Sequence, residues 1–112
     1  MLGWTIAVIR LAPEEVDRTQ GREAMQAAML AYWETGVIGA RWLQPLLAEG
    51  KVRQIRSGGY PDRYVAQAGD VLPLLISPAS LPEVRGRVAL YDEHLAACPA
   101  TATVTIDVWD QS

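Results

Sequence analysis

The sequence predicts one α+β domain over residues 1–112: a mixed four-stranded sheet with helices packed on one face, in the order β-α-α-β-β-α-α-β. Three observations predict it. Runs with strand periodicity stand near both ends, runs with helical periodicity lie between them, and a glycine pair joins two β-prone segments near the middle. At 112 residues and 50% hydrophobic, the chain can bury one core without disulfide or metal staples.

The elements follow in order. Thr5-Ile6-Ala7-Val8-Ile9 is apolar on both alternating sets, which suits a strand covered on both faces and hence a central one. Pro13 with Glu14, Glu15 and Asp17 marks a turn or a short acidic helical start. Gly21 to Thr35 is predicted as a helix, because Met25, Ala28, Met29 and Tyr32 fall on one stripe, Leu30 and Trp33 widen it, and Gly36 ends it. A second helix is expected from Ile38 to Glu49, kinked at Pro45 and stopped by Gly50.

Val52 to Ser57 and Arg63 to Ala66 read as two strands, with Gly58-Gly59-Tyr60-Pro61-Asp62 as the turn between them. Asp70 is placed to cap a helix over Val71 to Ile76, and Ser77 to Pro82 reads as a loop. Val84, Val88, Tyr91 and Leu95 then repeat at helical spacing up to Cys98-Pro99. The last strand has the cleanest alternation, Val104, Ile106 and Val108 against Thr103, Thr105 and Asp107. The first and last strands are expected side by side, since the termini of a domain often lie close together.

Composition narrows the function. Met1-Leu2-Gly3-Trp4 lacks the basic start and long apolar run of a secretory signal, and the apolar stretch ends at Arg10, so a soluble, cytoplasmic protein is expected. Cys98 is the one cysteine, which excludes an intrachain disulfide. With four Trp, four Tyr and no Phe, every large aromatic carries a polar group that wants a partner when buried.

The net charge of −3 argues against a generic nucleic-acid binder. The charge is uneven, however. Residues 41–64 hold five basic groups (Arg41, Lys51, Arg53, Arg56, Arg63) against Glu49 and Asp62, whereas residues 65–112 hold six acids against Arg85 and Arg87. That pattern implies a basic edge and an acidic body.

Each candidate for chemistry also has a plainer structural role. Cys98 and His94 lie one helical turn apart, but a cysteine at a helix C-terminus faces the negative pole, which opposes a thiolate. Cys98 is therefore expected as a small buried filler and His94 as a surface residue. Asp92, Glu93 and His94 are consecutive, so on a helix they point about 100° apart and do not close on one metal ion. The carboxylate pairs Glu14-Glu15, Asp92-Glu93 and Asp107-Asp110 have no evident apolar pocket to raise a pKa. Gly58-Gly59 leads into a strand and is not a phosphate cradle. No catalytic residue, metal site or cofactor is expected.

What remains is surface recognition. The glycine-pivoted hairpin sets Arg53, Arg56 and Arg63 around Tyr60, the amphipathic chemistry of interaction hot spots. The expected partner-binding residues are Arg53, Arg56, Tyr60, Asp62, Arg63, Asp92, Glu93 and Asp107.

Two resemblances bear on the partner. The stretch Gly58 to Tyr64 (Gly-Gly-Tyr-Pro-Asp-Arg-Tyr), with the small size and acidic balance, resembles the immunity proteins that bacteria keep beside their toxins. It implies a non-enzymatic inhibitor, in which Asp92, Glu93, Asp107 and Asp110 cover a basic toxin domain. The alternative rests on residues 41–76. Trp42 to Val52 resembles a winged-helix recognition helix entering its wing strand, Gly58-Gly59-Tyr60-Pro61 would be the wing tip, and Ala68 to Leu72 would open the closing helix. It implies a DNA-binding regulator. The expectation is a protein-binding module, with nucleic acid ranked behind a protein partner, no membrane, and room for a homodimer through an exposed edge strand.

Overall fold

A computed structural model describes residues 3–35, 41–76 and 84–110. Six strands form one sheet in the order β3-β4-β6-β1-β2-β5, and every neighbouring pair is antiparallel. In chain order the elements are β1 (Trp4–Ile9), α1 (Pro13–Arg18), α2 (Arg22–Ala28), β2 (Met29–Thr35), α3 (Leu43–Ala48), β3 (Val52–Arg56), β4 (Asp62–Gln67), α4 (Ala68–Ile76), β5 (Val84–Leu90), α5 (Asp92–Ala97) and β6 (Thr103–Asp110). The α+β class holds, but the sheet has six strands rather than four and contains no parallel pair. Gly36, Ile38 and the loop from Ser77 to Pro82 lie outside the described residues.

The two extra strands come from segments read as helix. Residues 29–35 leave the helix at Met29 and run between β1 and β5, with Ile6 opposite Trp33 and Trp33 opposite Val88. Residues 84–90 form the edge strand on that side, and helix resumes only at Asp92. Tyr32, Trp33 and Thr35 are the residue types a pleated surface accommodates best. Sheet neighbours on either side outweigh the local helical spacing.

The predicted stripe is nonetheless a packing unit. Met25 and Ala28 on α2, and Met29 and Tyr32 on β2, pack together against buried Ala7, Ile9 and Val16. In a regular strand Met29 and Tyr32 would face opposite ways. A register shift leaves Leu30 as an extra residue opposite Val8 and Ile9, which allows both onto one face.

The sheet is covered on two faces, not one. Ile6, Val8, Trp33, Tyr64, Val104, Ile106 and Val108 meet Leu43 and Leu46 of α3, Val71, Leu72 and Leu75 of α4, and Leu95 of α5. The opposite face receives α1 and α2 over its central strands. β1 is central, as its two-sided apolar pattern requires, and it pairs with β6, so the first and last strands are neighbours.

Local chemistry fixes the smaller elements. Pro13 occupies the first turn of α1, where its missing N–H costs nothing, and Glu15 Oε1 accepts the Ala12 N–H at 3.0 Å. α4 begins at Ala68, tied to the strand-side loop by the Ala68 and Gly69 N–H groups donating to Ala102 and Ala100 carbonyls at 2.8 Å each. Asp70 consequently lies within the first turn rather than ahead of it. The indole N–H groups of Trp33 and Trp42, whose rings stand 6.0 Å apart, find no acceptor, contrary to the expectation for buried aromatics. Among the described residues no helix is long and apolar enough to cross a membrane.

Candidate functional site

The eight expected contact residues fall in three places. Arg53, Arg56, Tyr60 and Asp62 lie on the β3–β4 hairpin at one sheet edge; Arg63 and Asp107 are inside; Asp92 and Glu93 open α5, next to the opposite edge. Five strand steps separate β3 from β5, about 24 Å at the usual spacing. The hairpin and the α5 acids therefore do not form one surface.

Arg63 and Asp107 are a correction to the expected surface set. They face each other across the β4–β6 pair and are 4% and 3% exposed. Arg63 Nε donates to Asp107 Oδ1 at 2.7 Å and its Nη2 to Oδ2 at 2.9 Å, a two-pronged pair. The third donor, Nη1, meets Asp17 Oδ1 of α1 at 2.7 Å. The Asp107 hydrogen bonds lift the Arg63 pKa above its already high value, against the desolvation that opposes its charge. Covering by α1 is what buries this polar row. Thr105 on the same face donates its hydroxyl to the Leu11 carbonyl at 2.7 Å. The alternation of β6 thus marks two buried faces, one apolar and one paired, rather than an inside and an outside.

The hairpin is held in place by that pair and by its own turn. Asp17 also contacts Arg56 at 3.4 Å, so α1 braces both strands of the hairpin. The Arg63 hydrogen bond, foremost, holds the Asp17 carboxyl below its ordinary range. In the turn, Asp62 Oδ1 accepts the Gly59 N–H at 2.9 Å, and the Asp110 N–H donates to the Gly59 carbonyl at 2.8 Å. Gly59 sits at φ +85, where a Cβ would stand 3.1 Å from that of Asp110. Glycine is thus required twice over, by backbone conformation and by close approach. The Tyr60–Pro61 bond is cis.

The result is an exposed side chain on a fixed mount. Gly59 and Pro61 are buried, yet Tyr60 between them is 68% exposed. Four large hydrophobic side chains stand exposed among the described residues, and three belong to this region: Tyr60, Ile55 (43%) and Trp109 (39%), the last next to Asp110. Ile55 is the extra residue of a register shift in β3, between Gln54 and Arg56. That shift brings Arg56 opposite Arg63 and so onto the same face as Arg53, which stands opposite Val65.

Ile55, Trp109 and Asp17 were absent from the expected set. A bulge and a cross-sheet ion pair leave no mark in local spacing. Trp109 did carry a signal, since a tryptophan on the polar side of an alternating strand is either buried by another element or exposed for contact.

The chemistry-bearing residues elsewhere have structural partners. His94 is half-buried rather than at the surface; its Nδ1 donates to the Met29 carbonyl at 2.8 Å, and its ring stacks on Tyr91 at 5.6 Å, tying α5 to β2. Cys98 is half-buried, its thiol pushed up by desolvation. Among the described residues no group of three or more His, Cys, Asp or Glu side chains gathers as for a metal ion. No family model, curated protein or solved structure matches this chain.

Proposed function

We propose that this chain is a non-enzymatic protein-binding module whose contact surface is the β3–β4 hairpin with the adjoining end of β6. The observation that carries the reading is Tyr60, two-thirds exposed on a turn whose flanking residues are buried and bonded in place. Aromatic and arginine side chains on a pre-ordered mount lose little freedom on binding, which is what makes such residues dominate interfaces. Ile55, Trp109, Arg53 and Arg56 supply the surrounding apolar and cationic contacts.

The resemblance to immunity proteins names the partner class, a toxin domain neutralised by direct binding. The expected contact is the basic hairpin on an acidic patch of that domain, because Asp107 is consumed by Arg63. The test is coexpression with the toxic C-terminal domain of a large secreted protein encoded beside this chain. Cell survival and a stable one-to-one complex are expected. Tyr60→Ala should weaken the complex by about thirtyfold, the effect of losing an interface hot spot of about 2 kcal/mol. Neither protection nor a complex with wild type would end the immunity reading.

A winged-helix DNA-binding role is the second reading, favoured by Lys51, Arg53 and Arg56 all being exposed around one hairpin. Two of these cations are already paired with acids, Lys51 with Glu49 at 3.2 Å and Arg56 with Asp17. Salt-dependent retention on duplex DNA, lost in Arg53→Ala plus Arg56→Ala, would establish it over the protein-binding reading.

A further inference from the structure

β3 is an edge strand, and no strand pairs with its outer side among the described residues. The Arg56 carbonyl accepts the Gln54 side-chain amide at 3.2 Å, a local bond that an added strand can displace, and an unpaired edge is where an extended segment of another chain adds. The side chains decide which chain fits. Arg53 and Arg56 share a face, and because the bulge at Ile55 takes up one residue, their partners on β4, Val65 and Arg63, are two residues apart. The backbone positions from which the two arginines project are therefore in step with β4 residues about 7 Å apart, the spacing of alternate residues on an added strand.

Arg53 also lines, with Lys51, Val65, Gln67 and Thr103, a shallow recess of about 300 Å³ beside the strand. Two cations beside the polar groups of Gln67 and Thr103 suit a short carboxylate side chain. The existing ion pairs of Arg56 and Lys51 are half-exposed, and such pairs are worth only about 0–1 kcal/mol, so an incoming carboxylate can exchange into them. A second copy of this chain is the wrong occupant. Pairing β3 with itself would set Lys51, Arg53 and Arg56 of each copy against one another, which is how basic residues keep edge strands from self-association.

We propose that the outer edge of β3 receives an extended acidic segment of the partner protein, added as a further strand, with carboxylates two residues apart on Arg53 and Arg56. This rests on the protein-binding reading and specifies the partner's chemistry and its mode of attachment.

The probe is a capped peptide, acetyl-Thr-Val-Glu-Thr-Glu-Val-Thr-amide, titrated into the full chain. Amide chemical shifts and hydrogen exchange of Val52–Arg56 are followed. The peptide is expected to protect β3 amides and to bind at least about tenfold more weakly to Arg53→Glu. A peptide with lysine for glutamate should not bind. One N-methylated at both glutamates and at the threonine between them keeps the charges but removes strand hydrogen bonds whichever residues face β3, and should lose at least about tenfold.

Failure of the acidic peptide to shift β3 amides at millimolar concentration would overturn the proposal. Undiminished binding of the N-methylated peptide would also overturn it, since charge alone would then suffice. Perturbation of the same amides by duplex DNA but not by the peptide would transfer the edge to nucleic acid. The two readings fail separately. A partner complex sensitive to Tyr60→Ala without peptide binding sinks strand addition alone. Peptide binding on β3 with a partner complex indifferent to Tyr60→Ala sinks the hairpin-tip surface alone.

Discussion

Replacing Asp107 by alanine should cost this protein about 3–5 kcal/mol, far more than its place on a strand with an outwardly polar pattern would suggest. Arg63 is 4% exposed, and Asp107 accepts two of its three side-chain hydrogen bonds, at 2.7 and 2.9 Å. In Asp107→Ala the guanidinium stays buried with only Asp17, itself half-exposed, to answer its charge. The penalty is the desolvation of that unanswered cation rather than the worth of the intact pair, which is small.

Against a typical total of about 5–15 kcal/mol, such a loss leaves a marginal fold. At about 4 °C per kcal/mol for a chain of this size, the melting temperature should fall by about 12–20 °C. Urea unfolding followed by tryptophan fluorescence reads the change directly, with the slope against denaturant held constant. The double variant Arg63→Met with Asp107→Leu removes both charges and should recover most of the loss. A cost below about 1 kcal/mol for Asp107→Ala, the value of an exposed pair, would refute the reasoning.

Other expectations follow from the same geometry. Asp17 has a folded-state pKa below the ordinary aspartate range, chiefly through its Arg63 hydrogen bond. Its contribution is therefore present above about pH 4 and disappears as pH falls through the lower folded value. Wild type should lose more stability than Asp17→Asn between about pH 5 and about pH 3; equal losses would remove Asp17 from the account. Gly59→Ala combines positive φ with a 3.1 Å contact to the Asp110 Cβ, and should cost about 1–2 kcal/mol in urea unfolding. Gly58→Ala, at φ +114 with open space around it, should cost less. The Cys98 thiol, raised by burial, should react with a disulfide reagent at pH 8 several-fold more slowly than free cysteine; equal rates would contradict its desolvation.

Much of the framework was legible in the residues. β1 follows from its run of apolar residues on both faces, β6 from its alternation, the hairpin from its glycine pair, and the neighbouring of the first and last strands from domain geometry. β2 and β5 were not legible, because their helical spacing is real. Met25, Ala28, Met29 and Tyr32 do share a face, but the chain passes from helix to bulged strand in the middle of that face. Only strands contributed from distant segments select between the two conformations, and local periodicity does not contain them.

The site was legible in part for a similar reason. Tyr60 and the arginines of the hairpin are visible in sequence as an unusual loop. Whether an arginine lies at the rim or beneath α1 depends on a register between residues 63 and 107, which no spacing records.

Hydrogen exchange of the chain with and without its partner protein tests the central claim most directly. Slowed exchange confined to the segment from Arg53 to Tyr60 and the end of β6 is the expected result. Slowed exchange over α5 and its Asp92-Glu93 start, with the hairpin unchanged, would contradict it.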